Sequence, residues 1–268
     1  MPESQFSQQP AHKALPSKSR WFSFRDGEQG QSLIWLHGWG MEHASLKRLA
    51  GLFSRTHKSV LYDQPGFGRT PKLPDGVGTE EYADDLAREL ENIPGAPHIL
   101  IGHSFGGRVA IQMAARRPSL VKAIVLIGGA GLQRRRSLKF KLRAYVLKNI
   151  GRLARFSDQL FGTRLRDAYV ERFGSADYKN AGPLRPTFVR VVNEDLSQPA
   201  KSLRCPALLL YGSDDTEAPP EIGRRFENLM PIARFVEVRG FDHWDILGRG
   251  AYQCEALIRT FLEDLKDD

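Results

Sequence analysis

Short apolar runs alternate with stretches of helical character along most of the chain, and this alternation limits the fold more than any other feature. The apolar runs are Leu33–Leu36, Val60–Tyr62, Ile99–Ile101, Ala123–Ile127, Ala207–Tyr211 and Phe235–Val238. The helical stretches are Ala44–Ser54, Thr79–Asn92, Gly106–Arg116, Pro220–Leu229 and Ala251–Leu265. Continuously apolar strands that alternate with helices are typical of a parallel sheet covered on both faces. The sequence therefore predicts an α/β fold with a mostly parallel central sheet flanked by helices.

One connection in this pattern is much longer than the others. Residues 132–203 separate the fifth apolar run from the sixth, whereas most such connections need a few residues and one helix. Near its start, apolar residues share one helical face, with cations around the rest: Leu138, Leu142, Tyr145, Val146, Leu153 and Phe156. This pattern predicts an amphipathic helix and, for the whole connection, a helical cap inserted before the penultimate strand. The predicted core comprises residues 21–131 and 204–268, after a disordered tail at residues 1–20.

Composition limits the class of protein and its compartment. The chain has 268 residues, of which 41% are hydrophobic and 26% charged, values typical of a globular protein. Its longest apolar runs, such as Ala123–Ile127, are far shorter than the ~18 residues of a membrane span. The N-terminal segment lacks the apolar region of a signal peptide, and Cys205 and Cys254 have neither disulfide-framework nor metal-site spacing. We therefore expect a cytoplasmic protein without a transmembrane segment or a metal site.

The motif GHSFGG at residues 102–107 directly follows one apolar run and precedes a helical stretch. A G-x-S-x-G sequence in this context is typical of the sharp strand-to-helix turn that exposes a nucleophilic serine. Gly102 and Gly106 allow strand and helix to approach closely, and the helix N-terminus adds a positive field behind Ser104. The alternative is a glycine-rich helix start with an inert serine. We predict that Ser104 is a nucleophile.

A second glycine-rich turn, HGWG at residues 37–40, follows the first apolar run. Glycines in this context free a loop whose backbone N–H groups can point at a substrate carbonyl. A His-Gly pair after a strand is, taken alone, more often only a tight turn. We expect the N–H groups of Trp39 and Phe105 to form an oxyanion hole.

A serine nucleophile needs a base, which a carboxylate orients. Of the seven histidines, His243 is favoured because it lies between the last apolar run and the final helical stretch, where a loop can reach the sheet edge beside Ser104. The other six histidines are disfavoured as the base because they lie in the tail, in helical stretches, beside strands or in the turns already described. They are His12, His37, His43, His57, His98 and His103. For the carboxylate, YGSDDTEAP at residues 211–219 offers two adjacent aspartates, Asp214 and Asp215.

Taken together, the motifs resemble the α/β-hydrolase superfamily, and within it the capped serine esterases. The resemblance covers about residues 30–131 and 204–265 and includes DQPGFGRT at residues 63–70. HGWG and DQPGFGRT are also similar to the carrier-protein methyl-ester esterases of biotin synthesis. The resemblance implies an α/β-hydrolase fold and a hydrolase that cleaves a small ester through an acyl-enzyme, without a cofactor. Thioester, lactone and activated C–C substrates stay open, whereas the serine argues against the dehalogenase and epoxide-hydrolase branches, which use an aspartate there.

The resemblance also selects the acid of the implied triad. In the family this acid lies three residues after a strand-ending glycine and four before a proline, and Gly212 and Pro219 place it at Asp215. Asp242 departs from the family pattern, which has a glycine immediately before the histidine. Asp242 and Asp214 therefore remain alternatives to Asp215.

The positive charge is concentrated in one segment. The whole chain carries 39 Lys and Arg against 31 Asp and Glu, a net charge of +8, whereas residues 132–203 alone hold 16 basic and 6 acidic residues, a net charge of +10. Such a segment can be a solvated surface. It can also steer an anionic ester or an acyl group on an acidic carrier protein towards the serine. An alternative from a different class of function is that the basic amphipathic cap binds a membrane surface or nucleic acid. We expect no nucleic-acid partner.

Overall fold

The computed structural model describes residues 21–91, 93–133, 138–161, 163, 165, 171–172 and 176–267. Its strands are β1 (Ser23–Asp26), β2 (Ser32–Leu36), β3 (Lys58–Tyr62), β4 (His98–His103), β5 (Val121–Ile127), β6 (Ala207–Gly212) and β7 (Ala233–Val238). They form one seven-stranded sheet in the order β1-β3-β2-β4-β5-β6-β7. β1 is antiparallel to β3, and every other neighbouring pair is parallel. The predicted mostly parallel sheet is confirmed.

Helices cover both faces of this sheet. They are α1 (Lys47–Gly51), α2 (Thr79–Glu91), α3 (Phe105–Arg116), α4 (Leu138–Phe161), α5 (Ala176–Asn180), α6 (Arg185–Asn193), α7 (Ser197–Lys201), α8 (Pro220–Glu227), α9 (Asp245–Gly248) and α10 (Ala251–Asp267). Side chains of α2, α3 and α8 share one apolar cluster, and side chains of α1, α9 and α10 share the other. In β2, Ile34 belongs to the first cluster and Trp35 to the second, because successive strand residues point to opposite faces. This two-sided burial explains the uninterrupted apolar runs.

Strand register brings the two glycine-rich turns together. Leu36, the last residue of β2, is paired with Gly102 near the end of β4. At the same edge, His103 is paired with Ile127 of β5, and Gly212 of β6 with Val238 of β7. The loops that follow these strands therefore emerge side by side, as expected for the carboxyl edge of a parallel sheet.

Two local predictions differ from the structure. The sequence did not indicate β1, because this edge strand is half exposed and carries two charges in four residues. The predicted helix Ala44–Ser54 is a 3₁₀ turn, His43–Leu46, followed by the short α1. The predicted disordered tail, residues 1–20, lies outside the described residues.

Residues 132–203, here called the insertion, lie between β5 and β6. Their described part contains α4 to α7, so it is helical as predicted, and the division of the chain into core and cap remains a prediction. Near its end the insertion is tied to α2, where Thr79 donates its backbone N–H and its hydroxyl to Glu194 at 2.9 and 2.5 Å. Among the helices that the structure describes, none has the length and apolar content needed to cross a bilayer.

Candidate active site

The candidate nucleophile lies in a tight turn between β4 and α3. Ser104 has φ +49° and ψ −106°, and it is the only non-glycine residue with a positive φ in the described part of the chain. The turn requires Gly106, because a Cβ atom there would lie 2.1 Å from the carbonyl oxygen of Leu36. A strained backbone of this kind is concentrated at functional sites. The local geometry therefore matches a turn that presents a reactive serine.

The candidate base and acid form a buried pair at the same edge of the sheet. Nδ1 of His243 donates to Oδ2 of Asp215 at 2.6 Å, and both residues are almost fully buried. The other carboxylate oxygen, Oδ1, accepts the backbone N–H groups of Glu217 and Ala218 at 2.8 and 2.7 Å. These bonds fix the carboxylate and, through it, the imidazole, which keeps Nε2 as the nitrogen available to a serine hydroxyl.

The two alternative acids are engaged elsewhere. Asp214 is exposed and accepts the hydroxyl of Ser213 at 2.7 Å. Asp242 is exposed, and its carboxylate accepts the backbone N–H groups of Trp244 and Asp245 at 2.8 and 2.7 Å, which orders the start of α9. The described hydrogen bonds and ion pairs connect His243 to Asp215 and to neither alternative.

The predicted oxyanion donors lie in the adjoining turns. The rings of Trp39 and Phe105 make an edge-to-face contact, with centroids 5.3 Å apart. The N–H of Gly106 donates to the carbonyl of His37 at 3.0 Å, which ties the two turns together. Among the described residues, the backbone N–H groups of Trp39 and Phe105 have no protein acceptor. They are therefore free to bind an oxyanion.

Two buried histidines support these turns in the neutral form. Nδ1 of His37 donates to the carbonyl of Gly38 at 2.7 Å, and Nε2 accepts the backbone N–H of Gln64 at 2.9 Å. Nε2 of His103 donates to the carbonyl of His243 at 3.0 Å. Burial lowers the pKa of His37 to about 4 and that of His103 to about 3. Their contacts are structural, and they hold the loops that carry Trp39 and His243.

The DQPGFGRT segment forms a second supporting turn around Asp63. Its buried carboxylate accepts Nδ1 and the backbone N–H of His43, each at 2.7 Å, and the backbone N–H of Arg69 at 2.9 Å. Burial opposes the charge, but these hydrogen bonds lower the pKa of Asp63 overall. Glu42, His43 and Asp63 have ligand atoms within 4.8 Å of one another. Because the hydrogen bonds already occupy Asp63, we interpret this cluster as part of the turn.

Ser104 and His243 line the same cavity, which has a volume of about 180 Å³. Trp39 and Phe105 line it beside the serine, and Phe188 of the insertion also contributes to its wall. Wider clefts of about 640 and 1020 Å³ share lining residues with this cavity. A small substrate group fits the inner cavity, and a larger group has room in the clefts.

Three charged residues of this cavity were not predicted: Arg108, Asp177 and Glu217. Oε2 of Glu217 lies 3.8 Å from Nε2 of His243. Burial, followed by the nearby Glu217 carboxylate, raises the pKa of Asp177. Arg108 lies one helical turn beyond Ser104 and Glu217 two residues beyond Asp215, so spacing could have indicated both. No sequence signal connects Asp177 with this site.

A mostly parallel sheet with a serine in the turn after its central strand defines the class of protein as an α/β hydrolase. The model of the alpha/beta hydrolase fold family matches residues 31–249. The chain belongs to this family, and the predicted fold class is correct.

Comparison with individual proteins shows what the chain is similar to within the family. It is 27% identical over 228 residues to the pimeloyl-acyl-carrier-protein methyl ester esterase of Chromobacterium violaceum, covering 80% of this chain and 88% of that protein. It is 25% identical over 253 residues to the esterase of the same name from Vibrio cholerae, covering 86% and 94%. A malate-bound thermophilic esterase from Thermogutta terrifontis superposes with a TM-score of 0.69 at 19% identity, covering 94% of this chain and 96% of that chain. This structural likeness shows the fold alone.

Proposed function

We propose that this α/β hydrolase is a serine esterase that cleaves a small carboxylic ester. The observation that carries the proposal is the buried His243–Asp215 pair, with 2.6 Å between Nδ1 and Oδ2, in the cavity that Ser104 lines. Relatives named as methyl ester esterases support ester substrates over lactones, thioesters and C–C bonds. Those three substrate classes remain the alternatives within the fold.

In the proposed mechanism, Nε2 of His243 accepts the hydroxyl proton while Oγ of Ser104 bonds to the ester carbonyl carbon. The carbonyl oxygen becomes an oxyanion, which the N–H groups of Trp39 and Phe105 stabilise. The imidazolium then protonates the alkoxy oxygen, the C–O bond breaks, and an alcohol leaves an acyl-enzyme. His243 next deprotonates a water that attacks the acyl carbon. The bond between that carbon and Oγ of Ser104 then breaks as His243 returns the proton to Oγ, which restores the serine hydroxyl and releases the acid.

Surface charge supports an acidic substrate or carrier within this proposal. The insertion has a net charge of +10 from its sequence, and charge of this size raises the encounter rate of an anionic partner. An acyl group on an acidic carrier protein is one such partner, as the names of the two relatives suggest. A cytoplasmic location is part of this proposal.

Labelling of Ser104 tests the proposed function. A fluorophosphonate should form a covalent adduct with the folded wild-type protein and none with Ser104→Ala. The same substitution should lower kcat for methyl pentanoate at least about 10⁴-fold, because it removes the nucleophile. Ser202→Ala, an exposed serine whose hydroxyl donates to the carbonyl of Pro199, is the matched control and should retain activity. Unlabelled wild-type protein, or full activity in Ser104→Ala, would exclude this function.

A second candidate function is favoured by the surface of α4. Tyr145, Leu153, Phe156 and Leu160 have 65, 68, 60 and 59% of their surface exposed. Their spacing of 8, 3 and 4 residues places them on one face of the helix, here called the α4 stripe. The helix has six basic residues and one acidic residue. We propose binding to an anionic membrane surface as this second function, since basic amphipathic helices with exposed Phe and Leu bind such surfaces.

A further inference from the structure

Arg108 is a buried cation in the wall of the candidate active site. It follows Ser104 by four residues in the turn that opens α3, and residues four apart along a helix lie on the same side. The side chain is only 9% exposed, and it lines both the 180 Å³ cavity and the adjoining 1020 Å³ cleft. A cation is therefore present about one helical turn from the candidate nucleophile.

The protein itself provides little compensation for this charge. Nη1 donates to the carbonyl oxygen of Val191 in α6 at 2.9 Å, and this is the one hydrogen bond that the Arg108 guanidinium makes to a described residue. Within the described ranges, no carboxylate lies at ion-pair distance from it. Glu194 attracts it through space without reaching ion-pair distance, and the Glu194 carboxylate is held by two hydrogen bonds from Thr79.

A buried guanidinium with so few partners is unfavourable unless an anion binds it. A guanidinium presents about five N–H donors in a planar fork that matches a carboxylate. Burial lowers the pKa of Arg108 to about 10, so the group stays protonated at neutral pH. Removing such a charge from water without an anionic partner is unfavourable. Ligand binding is the event that can supply the missing anion.

The charges in the cavity also orient the ligand. Asp177 and Glu217 act on each other and on His243, whereas the groups acting electrostatically on Arg108 are Glu194 and Tyr211. The carboxylates therefore act on the imidazole that must protonate the leaving alcohol, whereas neither of them is among the groups that act on Arg108. An anionic group is favoured on the acyl side of the ester and disfavoured on its alcohol side.

We propose that Arg108 binds a carboxylate on the acyl group, so that the preferred substrates are monoesters of short dicarboxylic acids. The proposal rests on the serine-esterase function. About 5–6 Å separates side chains one helical turn apart, which a chain of a few methylene groups spans. Monomethyl glutarate is such a substrate, and methyl pentanoate is its neutral counterpart of equal chain length.

A purely structural role of Arg108 predicts different kinetics from a binding role. Through Val191, the side chain also connects α3 to the insertion. Loss of that connection should lower the hydrolysis of both esters together. Loss of a carboxylate-binding group should lower the hydrolysis of the anionic ester selectively, because only that substrate makes the charged contact.

The test compares kcat/KM for the two esters in wild type, Arg108→Gln and Arg108→Lys. Arg108→Gln should reduce kcat/KM for monomethyl glutarate about 10- to 100-fold more than for methyl pentanoate, the range expected for a hydrogen-bonded charge. Arg108→Lys should retain part of the preference. Arg116→Gln, on the same helix and ion-paired with Asp84, is the matched control and should leave the ratio unchanged.

A second measurement uses the wild-type protein and so does not depend on the folding of a variant. Glutarate should inhibit methyl pentanoate hydrolysis competitively, whereas the neutral glutaramide should not. Equal losses for both esters in Arg108→Gln, or no inhibition by glutarate, would overturn the assignment of Arg108 while leaving the esterase function intact. Absence of Ser104 labelling and of hydrolysis of either ester would instead remove the proposed function itself.

Discussion

Asp215 differs from its neighbouring aspartates in what its carboxylate contacts. One oxygen is fixed by two backbone N–H groups and the other accepts Nδ1 of His243. The described hydrogen bonds to the carboxylates of Asp214 and Asp242 come from within their own loops. A carboxylate held in this way can keep the imidazole in one tautomer and stabilise the imidazolium that forms during acyl transfer.

At this scale we predict that Asp215→Asn lowers kcat for methyl pentanoate by about 10⁴-fold with little change in KM. An asparagine retains the shape of the side chain but favours the wrong imidazole tautomer. Asp214→Asn and Asp242→Asn are matched controls and should stay within a few-fold of wild type. Steady-state kinetics of the three variants checks this, and a large loss in Asp242→Asn with none in Asp215→Asn would reassign the acid.

Among the elements, α4 differs most from the rest of the fold. The helices of the core bury an apolar face against the sheet, whereas the α4 stripe is exposed. The spacing of its apolar residues correctly predicted a helix but did not show what covers the apolar face. Periodicity shows which residues lie on the same side of a helix. It does not show what packs against that side, because this depends on the tertiary structure.

We predict that Leu153→Ser combined with Phe156→Ser weakens binding to vesicles of phosphatidylglycerol and phosphatidylcholine at least about tenfold, because burial of each such side chain contributes about 1.5–3 kcal/mol. Vesicle flotation measures the bound fraction. Ile232→Ser removes an apolar side chain that is 53% exposed elsewhere and is the matched control. Equal binding by wild type and the double variant, or no binding by wild type, would exclude the membrane function of the α4 stripe.

Over the whole molecule, the charge is unevenly distributed. The insertion is strongly basic, whereas the rest of the chain is slightly acidic. Long-range attraction between the insertion and an anionic substrate is screened by salt, since the Debye length is about 10 Å at 0.1 M and about 3 Å at 1 M ionic strength. The close contact proposed for Arg108 is screened much less because it is buried. Salt dependence therefore separates steering by the insertion from binding in the cavity.

We predict that kcat/KM for monomethyl glutarate falls several-fold between 0.01 and 1 M salt, because salt screens the attraction of the +10 segment for an anion. We expect kcat/KM for the neutral methyl pentanoate to stay constant. Stopped assays of both esters across this range measure the difference. An identical response of the two esters would show that the insertion does not steer the substrate.

The sequence by itself determined the parallel sheet and the Ser104 turn, because both follow from local features. Apolar runs report burial on both faces of a strand, and Gly106 is required by a close approach to Leu36 that any turn of this type makes. The edge strand β1 has no such apolar run, since two of its four residues are exposed and two are charged.

Only the tertiary structure decided which aspartate lies beside His243 and which charges line the cavity. Asp214 and Asp215 are adjacent, but Asp214 is exposed and Asp215 is buried beside His243. Arg108 and Asp177 reach one cavity from α3 and from the insertion. Contacts between residues far apart in the sequence depend on how the segments pack. Neither composition nor periodicity shows how distant segments pack. The sequence therefore predicted the chemistry of the candidate site, and packing fixed its geometry and its charge.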